Sequence, residues 1–456
     1  MTGDAGAAAA IDTPAFFADQ HGHYARLRGQ AGARRVRNPQ GLDYWLVTRH
    51  DEAKSVLLDP RFSKDPRRAA DALRAAGYGV SGAGSFFLPL VNSDPPDHTR
   101  LRRLVSGAFT PARVAALRPA VERLTHELLD SAAAGAAAGD RGGARDGDRG
   151  GARAGDGGGG GNGADAEGVV DLMSAVAFPL PVLVISELIG IPHGNRAALL
   201  KWAASMLTVS GPGTSPATGP AERTRRLHRW FASLVAARRA RVRPGLAPQE
   251  HSDLLGALMA AGDQDGRLDD GELVGLLVLL LVAGHETTTG MIGNAVDALL
   301  RRPDQLALLR RRPELLPSAV DELLRYEPSL ARTTLRVATE DVEIGGSVVP
   351  AGAIVGVALA AANRDPAVFP APDDLDVTRD RGPHLAFGHG IHYCLGAPLA
   401  RLQTETVLAA LLERCPELAP ADPDGPQSWR PVGDMRGLMT LPVLLGPTRP
   451  GPAGSG

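Results

Sequence analysis

The stretch that decides the fold is HLAFGHGIHYCLG, residues 384–396, which runs directly into a helical pattern over Ala397–Arg414. Three chemistries compete for it. A dinucleotide-binding loop needs G-x-G-x-x-G after a strand, but the glycine that follows Gly388 and Gly390 is Gly396, too far along, and no strand signal precedes it. A zinc site would draw on His389, His392 and Cys394 at unusually tight spacing, with the other cysteine, Cys415, a helix away. The third chemistry is a haem-thiolate loop. Glycines at 388, 390 and 396 let backbone lie flat against a porphyrin and aim N–H groups at a sulfur, where a Cβ would intrude. Cys394 stands just ahead of a helix N-terminus, whose dipole is expected to favour the thiolate and lower the thiol pKa. A merely buried cysteine would not need three glycines around it.

The pattern F-x-x-G-x-x-x-C-x-G, on Phe387, Gly390, Cys394 and Gly396, resembles the haem-binding loop of the cytochrome P450 family. That resemblance implies a mainly α fold with a small β region, haem b as cofactor, and Cys394 as the axial thiolate on iron, where electron donation favours O–O cleavage. It extends from about Ile11 to Gly446 and includes AANRDPAVFPAPDDLD upstream of the cysteine.

A second motif is Ala283-Gly284-His285-Glu286-Thr287-Thr288, late in a long apolar helix. It is no metalloprotease H-E-x-x-H, because position 289 is Thr. The Thr287 hydroxyl is expected to bond back to the Ala283 carbonyl, with Gly284 opening a small groove beside it. An acid beside an alcohol in an apolar helix is costly to bury and suits a proton relay. The motif resembles the family's oxygen-binding stretch, which implies that Glu286 relays protons and Thr287 steadies the oxygen being activated, with Ala283 and Gly284 beside the haem.

Other sites follow from the same resemblance. Glu322 and Arg325, at i and i+3, would ordinarily be a surface ion pair; they resemble the family's E-x-x-R helix, with Arg379 as the third, structural partner. His98 and Arg102, at i and i+4, share a helix face and, with Arg336 and His392, are implied as partners of the haem propionates. Family position places the substrate pocket at the Tyr78–Val91 loop with Phe86, Phe87 and Leu88, and at Leu279, Ala283, Leu330, Ala331 and Met435. These side chains read as apolar and fairly large in span.

Helical patterns recur at Thr110–Ser131, Ala197–Leu207, Ala221–Val242, Ser252–Ala261, Asp270–Arg301, Pro303–Arg310 and Pro317–Tyr326 as well as at Ala397–Arg414. Strand signals are short: Tyr44–Val47, Thr334–Ala338, Val342–Ile344, Val348–Val349 and Ile354–Ala358. The sequence therefore predicts one haem domain over 11–446. Residues 135–168, almost only Gly, Ala, Asp and Arg, interrupt it as a disordered loop, and 447–456 form a disordered tail. Ser210–Pro220 reads as a mobile loop, and VVDLMSAVAFPLPVLVISELIG as helix.

Composition narrows the function classes. The 456 residues carry 49 Lys+Arg against 51 Asp+Glu, so no global field favours nucleic acid. Two cysteines suit a reducing compartment, the first residues do not form a signal peptide, and the apolar run Leu273–Ala283 is shorter than the roughly 20 residues of a membrane span. A cytoplasmic enzyme with no membrane anchor is expected. The resemblance implies a monooxygenase that inserts one atom of O2 into an apolar organic substrate, hydroxylation foremost and natural-product tailoring its setting. Electrons would come from NAD(P)H through a ferredoxin and ferredoxin reductase, which Arg103, Arg113 and Arg401 could help to dock. The rival is a haem-binding sensor or carrier, which would have no use for Glu286 beside Thr287.

Replacing residues 135–168 by a short turn should leave the haem spectrum intact and stabilise the fold by roughly 1.5 kcal/mol through cheaper loop closure, measurable by denaturant titration. Loss of haem in that deletion would show that the segment packs on the core.

Overall fold

The longest element, the 31-residue helix Asp270–Leu300, is started by a capping box. The Asp269 carboxylate accepts from the Glu272 N–H at 2.8 Å, and the Glu272 side chain reaches back to the Asp269 N–H. By length and hydropathy this helix could cross a membrane, more than the run Leu273–Ala283 alone suggests. Yet 67% of its most apolar window is buried inside the protein. Helices Pro179–Ile189, Pro220–Arg239, Leu316–Tyr326 and Ala397–Arg414 pack around it. Gly293 allows one such approach, because a Cβ there would lie 2.3 Å from the Met173 sulfur.

The computed structural model describes residues 8–77, 90–142, 168–207, 220–240, 250–265, 268–430 and 433–451. It is mainly helical, with three small sheets. The six-stranded sheet runs Ala9–Ala10, Arg34–Arg37, Asp43–Val47, Ile354–Val357, Arg336–Ala338, Phe62–Ser63 in spatial order. Val342–Ile344 and Ser347–Val349 form a hairpin whose turn needs Gly345 and Gly346 at φ 53° and 85°. Ala419–Pro420, Pro442–Leu444 and Val169–Asp171 make the third sheet.

Several boundaries move for local reasons. The pattern Thr110–Ser131 is two helices, Pro111–Ala116 and Arg118–Gly142, because Pro119 can neither donate to the preceding turn nor fit against it. The second helix continues through Gly142, past the expected loop start at Gly135, since alanine is the best helix former. Residues 143–167 and 208–219 lie outside the described residues. The segment read as one helix after the insertion begins instead as the strand Val169–Asp171, whose Val170 pairs with Val443, and turns helical at Met173, first as a π-helical turn over Met173–Ala177 and then as the α-helix Pro179–Ile189. The tail begins ordered, since Arg449 exchanges backbone and side-chain bonds of 2.9 Å with Arg414.

Glu322 and Arg325 lie on Leu316–Tyr326 but not at the surface: both side chains are 2% exposed. Arg325 forks onto Glu322 at 2.7 and 2.8 Å and donates to the carbonyls of Asn363, Pro372 and Asp374 at 3.0, 2.7 and 3.1 Å. Glu322 also accepts from Arg379 Nε at 3.2 Å and from the Asp376 N–H at 3.1 Å. Two arginines and one carboxylate thereby fix the irregular chain between 363 and 379 that leads to the cysteine loop.

Arg325→Ala should cost about 3–5 kcal/mol of unfolding free energy, because it takes the closest cation from buried Glu322 and the Arg325 donor from the Asn363 and Pro372 carbonyls. Arg325→Lys should recover less than half of that, since a point charge cannot replace the planar fork. Denaturant midpoints measure both; a loss no larger than the ~1 kcal/mol of an exposed ion pair would show the network to be dispensable.

Candidate active site

The cysteine loop is built by two glycines in the left-handed region, Gly388 and Gly390, each at φ 74°. At Gly390 a side chain is doubly excluded, since a Cβ would lie 2.8 Å from the Leu57 carbonyl oxygen. The loop closes when the Cys394 N–H donates to the Phe387 carbonyl at 2.9 Å, and the helix Ala397–Arg414 starts three residues later. Phe387 is held by the Arg401 guanidinium, 4.5 Å above its ring, while Arg401 Nε donates to Asp321 at 2.7 Å. Arg401 is thus part of the loop's scaffold, and Arg113 donates to the His251 carbonyl at 3.0 Å.

Cys394 is exposed in the sense that its side chain borders open space, yet it sits deep among protein atoms. Burial pushes its thiol up from the ordinary value, against the pull of the Gly396 and Ala397 N–H groups and of Arg102 and Arg401. This reverses the expected lowering: the N–H groups at the helix start do act on the sulfur, but desolvation outweighs them. A deep thiol with donors aimed at it becomes a stable thiolate once a cation binds it.

Basic groups converge on the same place. The His98 and His392 rings lie 4.2 Å apart. Both His98 nitrogens are buried with no hydrogen-bond partner among the described residues. Arg336 is buried with a single side-chain bond among the described residues, to the Thr333 hydroxyl at 3.5 Å, and burial lowers its pKa to about 10. Arg102, near enough to Cys394 to feel its charge, has no carboxylate partner among the described residues. Burial, together with His98, Lys64, Arg336 and Arg102, pushes His392 down to about 3. Buried guanidinium groups are ordinarily paired and buried imidazole N–H groups hydrogen-bonded, so this cluster calls for anionic oxygen beside the sulfur. Haem carries two carboxylates and an iron for the thiolate; the residues present fit it.

On the long helix, Thr287 Oγ1 donates to the Ala283 carbonyl at 2.6 Å, and the Ala283 side chain faces open space. Gly284 opens no groove, because Ile185 fills the position: its Cδ1 lies 2.9 Å from where a Cβ would be. The glycine serves close helix packing instead. Glu286 is ion-paired to Arg430, 144 residues away, a partner for which the sequence holds no local signal. His285, inside the motif but given no role by its sequence, is buried against Phe178, with rings 4.8 Å apart, and desolvation next to Arg430 lowers its pKa to about 4.

Of the pocket residues, Leu330 and Met435 are brought together by an isolated antiparallel bridge, and Leu279 is buried in the main core. Ala331 does not join them. It is fully buried in a second cluster with Phe16 and Tyr24, because successive residues of extended chain point to opposite sides. Phe86, Phe87 and Leu88 lie outside the described residues.

A family model described as cytochrome P450 matches residues 220–431. Across 429 residues, 94% of this chain and 91% of the relative, the sequence is 42% identical to the cytochrome P450 monooxygenase PikC of Streptomyces venezuelae. It is 40% identical over 441 residues to the 6-deoxyerythronolide B hydroxylase of Saccharopolyspora erythraea, covering 95% and 98% of the two chains. The ligand-free P450 monooxygenase TamI superposes with a TM-score of 0.79 at 38% identity, over 97% of this chain and 95% of that one. With identities of this size over nearly the whole length, on a fold whose cysteine loop and basic cluster fit haem, the chain belongs to the cytochrome P450 family and is a P450 monooxygenase.

Proposed function

We propose that this monooxygenase hydroxylates a large, mostly apolar natural product in the cytoplasm, using haem b and electrons delivered from NAD(P)H by a ferredoxin and its reductase. The observation that carries the reading is the convergence of Cys394 with four basic side chains lacking anionic partners, His98, Arg102, Arg336 and His392. The hydroxylation chemistry is supported by the kinship with an enzyme named for hydroxylating 6-deoxyerythronolide B. When bound, haem supplies the activation of O2 and the transfer of one oxygen atom to carbon.

The chain's own residues do the rest. Cys394 would hold the iron, and the four basic groups the propionates. Phe387, Gly390 and Gly396 would shape the loop against which the haem is held. Leu330 and Met435 would present apolar surface that orients an apolar substrate by excluding water from it, with Leu279 packed in the core behind. Because Thr287 already donates its proton to the Ala283 carbonyl, its oxygen is free to accept a hydrogen bond. It can therefore hold a water or a protonated oxygen in place on that side of the helix. Glu286 is ion-paired with Arg430, and swinging between that pair and the site would carry protons inward.

Three variants test these roles. In Cys394→His, imidazole replaces thiolate; the reduced carbon monoxide complex should absorb at shorter wavelength than in the wild type and product should vanish, whereas Cys415→Ala should change neither. In Thr287→Val, shape and branching survive but the hydroxyl is lost. Reductant should still be consumed, with a larger share ending as hydrogen peroxide. Unchanged coupling would remove Thr287 from the mechanism. Glu286→Gln should slow the whole cycle by about 10²–10⁴-fold, as loss of a general acid does.

A further inference from the structure

Helix Leu316–Tyr326 carries two adjacent buried carboxylates that serve different parts of the chain. Glu322 turns to the stretch between 363 and 379. Asp321 turns to the cysteine loop and takes three donors. Its Oδ1 accepts from Arg401 Nε at 2.7 Å and from His384 Nε2 at 3.3 Å, and its Oδ2 faces Arg381 Nε at 3.1 Å. His384 Nδ1 accepts the Ala386 N–H at 3.3 Å, which puts the ring proton on Nε2, toward Asp321. Against burial, the bonds from His384 and Arg401 hold the Asp321 carboxyl below its ordinary value, so its charge is kept.

The three donors are not equivalent. Arg381 is largely exposed, so water and salt screen it, and His384 with an accepting Nδ1 carries no charge. The charge that Asp321 offsets is therefore mainly that of Arg401. Arg401 also reaches the surroundings of the sulfur. Its guanidinium lies 4.5 Å above the Phe387 ring, the Phe387 carbonyl accepts the Cys394 N–H at 2.9 Å, and the Arg401 charge acts on Cys394 itself. A cation beside a thiolate draws electron density from the sulfur and weakens what it donates to a metal. A carboxylate bonded to that cation cancels part of the effect.

We propose that Asp321 is a positioning residue for the haem thiolate: through Arg401 it sets the net charge beside the Cys394 sulfur, and with it how readily the iron is reduced. The inference rests on Cys394 being the iron ligand, as given under Proposed function. A purely mechanical brace, in which Asp321 only holds the shape of the loop, is the competing explanation.

Spectroelectrochemical titration of the substrate-free, haem-loaded protein separates the two. Asp321→Asn keeps an oxygen for Arg401 and His384 but leaves the guanidinium charge uncompensated, so at a fixed electrode potential the ferrous-to-ferric ratio should rise by about threefold or more. Asp321→Glu should return most of the wild-type ratio. Arg401→Gln should lower the ratio, and combined with Asp321→Asn it should cancel the rise. No shift in Asp321→Asn, or shifts of the same sign in both single variants that add in the double, would be the mark of a loosened brace and would overturn the proposal. If Asp321→Asn does not retain haem, Arg401→Gln decides, and a ratio that does not fall overturns the proposal. The reduced carbon monoxide complex of the wild type reads the ligand separately. Absence of the thiolate band there would sink the ligation itself and the inference with it, whereas a thiolate band with unmoved ratios sinks the inference alone.

Discussion

Charge held away from water is the constraint on which the rest of this structure depends. A cysteine thiol is set deep enough that burial raises its pKa, and four basic groups are gathered beside it with no carboxylate paired to them among the described residues. In isolation such a place would be costly, since each group loses hydration without gaining a partner. The arrangement makes sense as half of an interaction, the other half being an iron for the sulfur and carboxylates for the cations.

Holding such a site open demands rigidity elsewhere. The chain from 363 to 379 has little regular structure, yet the guanidinium of Arg325 takes three of its carbonyls and Arg379 ties it back to Glu322. Planar donors at fixed angles do for irregular backbone what a ladder does for a sheet. A few residues on, Arg401 sits between Asp321 and the face of Phe387, so the loop bearing the sulfur is braced from the helix that follows it. Arginine serves here as internal scaffold.

The long helix shows how one element serves packing and chemistry together. Gly284 and Gly293 let Ile185 and Met173 approach closely, which keeps the helix in the core. Between them, Thr287 and Glu286 turn polar groups toward a carbonyl and an arginine. Gly284 read from sequence as opening space; in the fold the space is filled. A glycine signals that a side chain is excluded, and only the neighbour decides whether ligand or protein does the excluding.

By itself the sequence determined the elements whose cause is local and the chemistry whose spacing is short. The helix Ala397–Arg414, the glycines around Cys394, the back-bond of Thr287 and the mainly helical class all follow from neighbours within a few positions. Tertiary structure decided what depends on distant partners: that Glu322 and Arg325 are buried, that Glu286 meets Arg430, that the Cys394 thiol is pushed up rather than down, and that Ala331 faces a core while Leu330 faces Met435. The physical reason is that burial is a property of the assembled chain. Dipoles and hydrogen bonds between near neighbours are written in order along the sequence, whereas desolvation and long-range ion pairs exist only once the elements have packed.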